Sequence, residues 1–249
     1  MASDLSEDEQ LTAAREKLSD TVRILSGGAA NGLVSRLEST FLAKTSHSLI
    51  GDYGAVGVMK DRILAGEPVD LIILTRALVD QLVESGHVDE GSAHDIGEVA
   101  TGIAVRHGEP SPDISFSDAL KQVLEQTDAL FVPDTVQSTA GRHVAKMLDA
   151  LGLTDLIKDR LREFPNGQSA MAAMVEEGTS KSLGCTQITE ILHTSGVDYA
   201  GDLPAEHGLS TVYTAAISRN ATAGDAAQVL IALLTAPETA KQRQASGFS

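Results

Sequence analysis

Short apolar runs rich in β-branched residues alternate along this chain with segments whose apolar residues follow helical spacing. Seven runs have the composition of buried strands: residues 22–25, 48–51, 69–75, 102–106, 129–133, 181–187 and 211–217. Strands that alternate with helices usually lie parallel in a sheet that helices cover on both faces. The pattern therefore predicts an α/β fold with mostly parallel sheets flanked by helices.

The segments between these runs predict the helices. Their apolar spacing favours helices over residues 33–43, 56–65, 78–85, 117–126, 141–150, 169–177, 189–192 and 226–234. A further helix is predicted over residues 7–18, where Ser6 and Glu9 have the spacing of a capping box.

Small or polar residues follow the strand runs at the points where the helical patterns begin. The first run, for example, continues into Ser26-Gly27-Gly28. The first turn of a helix has free backbone N–H groups and the positive end of the helix dipole, and both attract an anion. The sequence therefore predicts a site for a small anion that needs no basic side chains.

The charge of the chain limits its partners. Among its 249 residues, 35 acidic and 19 basic side chains give a formal net charge of −16, and Lys and Arg form no cluster. Such a chain lacks the basic surface that binds nucleic-acid phosphates, and an anionic membrane surface repels it. We therefore expect a small anionic ligand, no nucleic acid and no membrane insertion.

The first twenty residues are acidic and polar, without the basic and apolar regions of a secretory signal. If Met1 is the true start, a cytoplasmic location is expected, and an ABC permease is a partner only if a signal peptide has been missed. The apolar stretch over residues 226–234 is too short to span a bilayer.

Motifs for metals and cofactors are missing. The single cysteine, Cys185, cannot form an internal disulfide or a thiolate cage, and the seven histidines do not have metal-site spacing. Gly27-Gly28 matches neither a Walker loop nor a dinucleotide fingerprint. We therefore expect no metal and no cofactor.

Two stretches rich in turn residues, 87–97 and 201–210, enclose a middle block. They predict a discontinuous first lobe of residues 1–101 plus 205–249 and a second lobe of residues 102–204. Clefts between domains are favoured ligand sites, so the predicted site lies between the lobes.

The motifs along the chain resemble the class II periplasmic solute-binding fold, in its molybdate-binding branch. The resemblance runs from about residue 22 to residue 248, and it rests on the order of several short motifs, namely Ser26-Gly27-Gly28, Asp52-Tyr53-Gly54-Ala55-Val56-Gly57, Val69 to Thr75, Gly102 to Arg106, Pro110 to Ile114, Pro133 to Gly141, Gly184 to Leu192 and Gly201-Asp202-Leu203-Pro204. It implies two lobes that close over a small anion, with hinges near residues 100–102 and 204–210.

The same resemblance implies a set of ligand contacts made by neutral groups. They are Ser26, Gly27, Gly54, Ala55 and Val56 from the first lobe, and Ser138, Thr139, Ala140, Thr186, Gln187 and Tyr213 facing or joining them. For the Ser and Thr residues a plain helix-capping role is the alternative, and for Gln187 and Tyr213 the alternative is to satisfy other buried polar groups.

One position departs from the molybdate-binding pattern. Molybdate binders of this class place a second serine after the second strand, where Tyr53-Gly54-Ala55-Val56 has no small hydroxyl. An oxyanion that loses this donor loses about 1–3 kcal/mol if a partner stays unpaired. The departure favours a carboxylate, and the middle block resembles a subgroup of this branch that includes aconitate isomerases.

Two functions therefore stay open. The first is binding of a small di- or tricarboxylate or tetrahedral oxyanion in the cleft. The alternative is a cytosolic isomerase that moves a proton on a small polycarboxylate such as aconitate, which requires a base and donors for an enolate. Tyr53 and His143 are the candidate bases, with Cys185 and Glu190 also considered, and Arg76 is a candidate partner for a substrate carboxylate.

Overall fold

The computed structural model describes residues 20–249. The predicted helix over residues 7–18, with Ser6 and Glu9, lies outside this range. The described chain has strands β1 (Thr21–Gly27), β2 (Ser48–Gly54), β3 (Leu71–Thr75), β4 (His94–Arg106), β5 (Leu130–Pro133), β6 (Leu161–Phe164), β7 (Leu183–Gln187), β8 (Val197–Asp202) and β9 (Ser210–Ile217).

Helices separate most of these strands. They are α1 (Asn31–Thr45), α2 (Val56–Leu64), α3 (Arg76–Glu84), α4 (Ser117–Gln126), α5 (Thr139–Ala150), α6 (Thr154–Ile157), α7 (Gly167–Glu177), α8 (Ile188–His193), α9 (Gly224–Thr235) and α10 (Ala240–Ala245). Short 3₁₀ turns lie at Gly28–Ala30, Glu90–Ser92, Ala205–His207 and Pro237–Thr239.

The strands form one mixed sheet in the order β2-β1-β3-β9-β4-β7-β5-β6, with β8 also paired to β4. Pairing is parallel within β2-β1-β3 and within β7-β5-β6, as the alternation predicts. Strands β4 and β9 join these groups through antiparallel pairs. The predicted α/β class with flanking helices is confirmed, and the antiparallel strands make the sheet mixed.

Strand β4 divides the sheet into two halves. Its residues 94–100 pair with β9, and its residues 101–106 pair with β7 and β8. We call β1, β2, β3 and β9 with their helices the first half, and β5, β6, β7 and β8 with theirs the second half. The chain crosses once along β4 and once between β8 and β9.

Each half has its own core. The first core joins β1 and β3 to α1 and α9, and Leu71, Ile72, Ile73 and Leu74 are completely buried because helices cover both faces. In the second half, Leu130 and Val132 face one core, whereas Phe131 between them faces another with Met171 and Met174. The proposed lobe boundaries at residues 102 and 204 stay a prediction.

All seven predicted strand runs lie within or overlap strands, but two strands lie where none was predicted. Strand β6 has exposed charged residues at Arg162 and Glu163, and the residues of β8 are half-buried or exposed, so neither has an apolar run. The predicted loops at 87–97 and 201–210 also lose their ends to β4 and β8. Strands β6 and β8 therefore form through pairing at the edge of the sheet rather than through burial of an apolar run.

Candidate functional site

The carboxyl end of β1 closely approaches the Tyr213 side chain of β9 and the first turn of α2. Ser26 is fully buried, and its hydroxyl donates to the Gly27 carbonyl at 2.8 Å. Gly27 leaves no room for a side chain, since a Cβ there would lie 2.8 Å from a Val56 methyl and 2.9 Å from the Tyr213 ring. The structure therefore brings Ser26, Gly27, Val56 and Tyr213 together.

Gln187 adds an unpaired donor to this group. It ends β7, is 3% exposed, and its Oε1 accepts the Tyr213 hydroxyl at 2.6 Å. Its Nε2 is buried and has no hydrogen-bond partner among residues 20–249. Leaving a buried donor without an acceptor destabilises a protein by about 1–3 kcal/mol. The Gln187 NH₂ group is therefore suited to donate a hydrogen bond to a ligand oxygen.

Glu190 lies in α8, one turn after Thr186, and is buried. Its Oε2 accepts the Thr186 hydroxyl at 2.6 Å, and its Oε1 accepts the Gly167 N–H at 3.1 Å. The backbone N–H groups of Gln168 and Gln187 also face the carboxyl and lower its pKa. Burial has the larger effect and raises the pKa of Glu190 above its usual range.

Two glycines enclose this carboxyl from opposite halves of the sheet. A Cβ at Gly28, in the first half, would collide with Glu190 Oε1, and a Cβ at Gly167, in the second half, would collide with Glu190 Oε2 and Thr186 Oγ1. The Glu190 charge also raises the pKa of Tyr213, after burial. Glu190 therefore lies between the two halves and near the Gln187–Tyr213 pair.

The second predicted group joins the first turns of α2 and α5. Gly54 ends β2, and Ala55 precedes the first turn of α2. The Gly57 N–H donates to the Gln137 carbonyl at 3.2 Å, and Gln137 directly precedes Ser138. The predicted contacts Gly54, Ala55 and Val56 thus approach Ser138, Thr139 and Ala140 from the other half.

Ser138 caps α5, and its hydroxyl accepts the Gly141 N–H at 3.4 Å. Ala140 is 1% exposed and packs in the protein interior. A second contact between the halves is the hydrogen bond from Asn31 Nδ2 to Gln168 Oε1, at 2.9 Å. The two halves are closed against each other on both sides of the polar residues.

A cavity of about 340 Å³ opens between the halves beside this group. Ala55 and Val58 line it from the first half, and Asp134, Glu163, Phe164 and Pro165 line it from the second. The two carboxylates accept hydrogen bonds from residues 135–137 of the same loop. The carboxylates of Asp134 and Glu163 in this cavity are therefore already paired with donors of the protein.

The donors of the site are neutral. Within residues 20–249, no Lys or Arg side chain donates a hydrogen bond to any of the predicted contacts or to Glu190. Arg76 pairs instead with Asp95 at 2.6 Å, and Arg142 donates to the Val136 carbonyl. An anion in this site depends on N–H and O–H groups and on helix ends.

The two candidate bases have other partners. The Tyr53 ring packs on the first core and over Gly51, and burial and the nearby Glu38 raise its pKa. His143 Nε2 lies 2.7 Å from the His207 carbonyl, on the chain that crosses between β8 and β9. The side-chain contacts given for Tyr53 and His143 thus lie outside the predicted site, although the Tyr53 backbone pairs with Ser26 in the sheet.

Cys185 is fully buried, and burial raises its pKa to about 12, which leaves the thiol protonated. Between residues 20 and 249 no three His, Cys, Asp or Glu side chains are grouped so that they could hold a metal ion. None of the helices in that range is long and apolar enough to cross a membrane.

The model of the bacterial extracellular solute-binding protein family matches residues 22–249. The chain belongs to this family. The resemblance to the class II periplasmic solute-binding fold is thereby confirmed. The chain is also similar to an aconitate isomerase from a Pseudomonas species, with 29% identity over 236 residues, which cover 92% of this chain and 87% of the relative.

Solved structures of anion-binding proteins have the same fold. The periplasmic molybdate-binding protein of Azotobacter vinelandii matches with a TM-score of 0.76 and 16% identity, covering 92% of this chain and 98% of that one. The sulfate-binding protein of Mycobacterium tuberculosis H37Rv matches with a TM-score of 0.71 and 17% identity, covering 92% and 86%. At 16–17% identity, these two likenesses show that the fold is shared.

The sequence named Glu190 only as a further possible base and did not place it among the predicted site residues. Its signal is a lone acidic residue inside the short apolar segment Ile188–His193, four positions after Thr186. The spacing from Gln187 is also that of a capping box, in which the third helical residue reaches back to the N-cap N–H. Gly28 and Gly167 are far apart in the sequence, and their common contact with the Glu190 carboxyl is visible only in the folded structure.

Proposed function

We propose that this protein binds a small di- or tricarboxylate between the two halves of the sheet. The observation that carries the proposal is the buried, unpaired Nε2 of Gln187, held in place by the Tyr213 hydroxyl. A carboxylate oxygen is a strong acceptor for such a donor, and a charged partner strengthens the hydrogen bond. The surrounding N–H groups and helix ends favour the same charge.

The proposed ligand contacts are those that the resemblance implies. Ser26 and Gly27 approach from β1, residues 54–56 from the start of α2, and residues 138–140 from the start of α5. Gln187 and Tyr213 complete the set from β7 and β9, whereas the hydroxyl of the predicted contact Thr186 donates to Glu190. The absence of a small hydroxyl in residues 53–56 favours a planar carboxylate over a tetrahedral oxyanion.

A second candidate function is isomerisation of the bound polycarboxylate. It is favoured by the similarity to an aconitate isomerase and by an acid group enclosed between the halves. Moving a double bond along a tricarboxylate requires a base to take a proton from a carbon next to a carboxylate. The electron pair of that C–H bond delocalises into an enolate, and the same proton returns at the other end of the allylic system.

Glu190 is the proposed carrier of that proton. Its raised pKa is the direction in which enzymes tune a carboxyl that gains and loses a proton near neutral pH. The Thr186 hydroxyl, which donates to Glu190 Oε2, can rotate and accept when the carboxyl is protonated. Neutral N–H and O–H donors around the site stabilise the enolate.

Proton NMR of cis- and trans-aconitate with the purified protein in deuterated buffer tests both functions. Interconversion, or exchange of carbon-bound protons with solvent, supports the isomerase. Saturable binding without either reaction supports a binding protein. Thermal stabilisation by molybdate or tungstate, with no effect of either aconitate, contradicts the proposal.

Variants at the predicted contacts locate the site. Ser26→Ala and Thr139→Ala are expected to weaken aconitate binding, because each removes a hydroxyl from a strand or helix end. Thr40→Ala, on the outer surface of α1, is the matched control and is expected to leave binding unchanged. Unchanged affinity in both site variants would show that the site lies elsewhere.

A further inference from the structure

The first turn of α7 is already occupied by an acid group of the same chain. Glu190 comes from α8, and its carboxyl accepts the N–H of Gly167, the first residue of α7, with the N–H of Gln168 beside it. The Thr186 hydroxyl and the N–H of Gln187 approach from β7. Together these four donors form an anion site, here called the seat, whose size and polarity suit one carboxylate group.

The backbone around the seat is shaped to the carboxyl. Gly28 and Gly167 approach from opposite halves, and at either position a Cβ would overlap an oxygen of Glu190. Both glycines have φ outside the left-handed region, so no backbone requirement explains them. Close contact with the Glu190 carboxyl is the reason for a missing side chain at both positions.

We propose that Glu190 is a specificity-determining residue, which fills an anion seat between the two halves and so prevents molybdate, sulfate and similar oxyanions from using it. The donors of the seat are engaged by Glu190 and cannot serve a second anion. A ligand must instead use the neighbouring donors, with the unpaired Gln187 Nε2 among them. This inference concerns the seat alone and holds whether or not the protein transforms its ligand.

Removal of the side chain converts the seat into a binding site for an external anion. Glu190→Ala leaves the N–H groups and the Thr186 hydroxyl facing a space the size of a carboxylate. Sodium formate is the probe, because formate is the smallest carboxylate and reproduces the two lost oxygens. Sodium chloride at equal ionic strength is the salt control.

Two variants serve as controls. Ile191→Ala removes a side chain that is 1% exposed from the same helix, so it creates a space without the donors of the seat. Glu190→Gln keeps the volume but fills the seat with an amide. Formate is expected to raise the melting temperature of Glu190→Ala by roughly 4 °C at ten times its dissociation constant. It is expected to leave Ile191→Ala, Glu190→Gln and the unmodified protein unchanged relative to chloride.

Calorimetric titration of the unmodified protein with sodium molybdate and sodium sulfate completes the test, and no saturable binding is expected. Equal effects of formate on Glu190→Ala and Ile191→Ala would overturn the proposal, as would molybdate binding to the unmodified protein. If Glu190→Ala is insoluble in chloride and soluble in formate, the seat is supported. Insolubility in both salts counts against it, because formate then fails to replace the carboxyl.

Discussion

Asp70 and Glu190 are two buried carboxyl groups that the fold uses in different places. Asp70 accepts the N–H of Arg23 at 2.8 Å and the N–H groups of Thr222 and Ala223 at 2.7 and 3.0 Å, just before α9 begins. All these donors belong to the first half, so Asp70 ties that half together. Glu190 receives its donors from the second half and is covered by Gly28 from the first.

The difference shows that the same arrangement, a buried carboxyl that accepts N–H groups, can stabilise the fold at one position and form part of the candidate site at another. In both cases a carboxyl satisfies the free N–H groups at the start of a helix that lies distant in sequence. The surroundings of Asp70 do not change if the halves separate, whereas separation removes Gly28 from Glu190. Of these two carboxyls, Glu190 is therefore the one whose surroundings depend on the contact between the halves.

The largest expected effects come from the amide variants of these two residues. Asp70→Asn and Glu190→Gln each place an NH₂ group against N–H donors, and each is expected to lower the free energy of unfolding by about 3 kcal/mol. Urea denaturation followed by circular dichroism measures this. We predict that Asp70→Asn retains the aconitate affinity of the unmodified protein and that Glu190→Gln loses part or all of it. Equal affinities in the two variants would make Glu190 a purely structural residue.

The glycines that enclose Glu190 are expected to give the next largest effect. Gly28→Ala and Gly167→Ala force a Cβ against the carboxyl, and overpacking of this kind costs about 1–3 kcal/mol. Gly91→Ala is the matched control, because within residues 20–249 no heavy atom beyond its chain neighbours lies within 4 Å of the added Cβ, and its φ is not positive. Thermal melting compares the three. A site variant as stable as Gly91→Ala would show that Glu190 is not held at that position.

A smaller effect, on binding alone, is expected at Gln187. Gln187→Glu keeps the acceptor for Tyr213 but replaces the unpaired donor with a charged acceptor, so aconitate should bind at least about tenfold more weakly. Gln126→Glu adds the same charge at an exposed position of α4 and serves as the control. Titration calorimetry measures both, and equal affinities would remove Gln187 from the site.

The smallest effect concerns pH. Because the pKa of Glu190 is raised in the folded state, the folded protein holds this proton over a range in which the unfolded chain has lost it. The stability contributed by protonation is therefore present below about pH 4.3, the ordinary value, and is lost as pH rises through the raised value. The difference in unfolding free energy between the unmodified protein and Glu190→Gln should fall over that range, and a constant difference would contradict the shift.

Much of the fold was predictable from the sequence because burial leaves a pattern. Residues 71–74 are all apolar, since β3 is covered on both faces, and the strand predicted over residues 69–75 contains β3 (Leu71–Thr75). Strands β6 and β8 have no such pattern, because pairing at the border of the sheet forms them. The antiparallel pairing of β4 and β9 depends on contacts between segments far apart in the sequence, so the local spacing of apolar residues does not predict it.

The candidate site divides in the same way. Residues at strand ends, such as Ser26 and Ser138, were predictable because parallel strands bring their carboxyl ends to one edge. The hydrogen bond between Gln187 and Tyr213 and the enclosure of Glu190 by Gly28 and Gly167 join residues far apart in the sequence. No local motif encodes these contacts, and Glu190 was therefore left out of the predicted site.

The Gln187 side-chain amide gives the most direct test of the proposed site. In a protein labelled with ¹⁵N-glutamine, the Nε2 resonance is assigned by its loss in Gln187→Glu and followed while aconitate is added. We predict that the Gln187 amide protons shift downfield and become protected from solvent exchange as the ligand saturates, because the unpaired donor gains a carboxylate acceptor. Unchanged Gln187 resonances at ligand saturation would contradict the account.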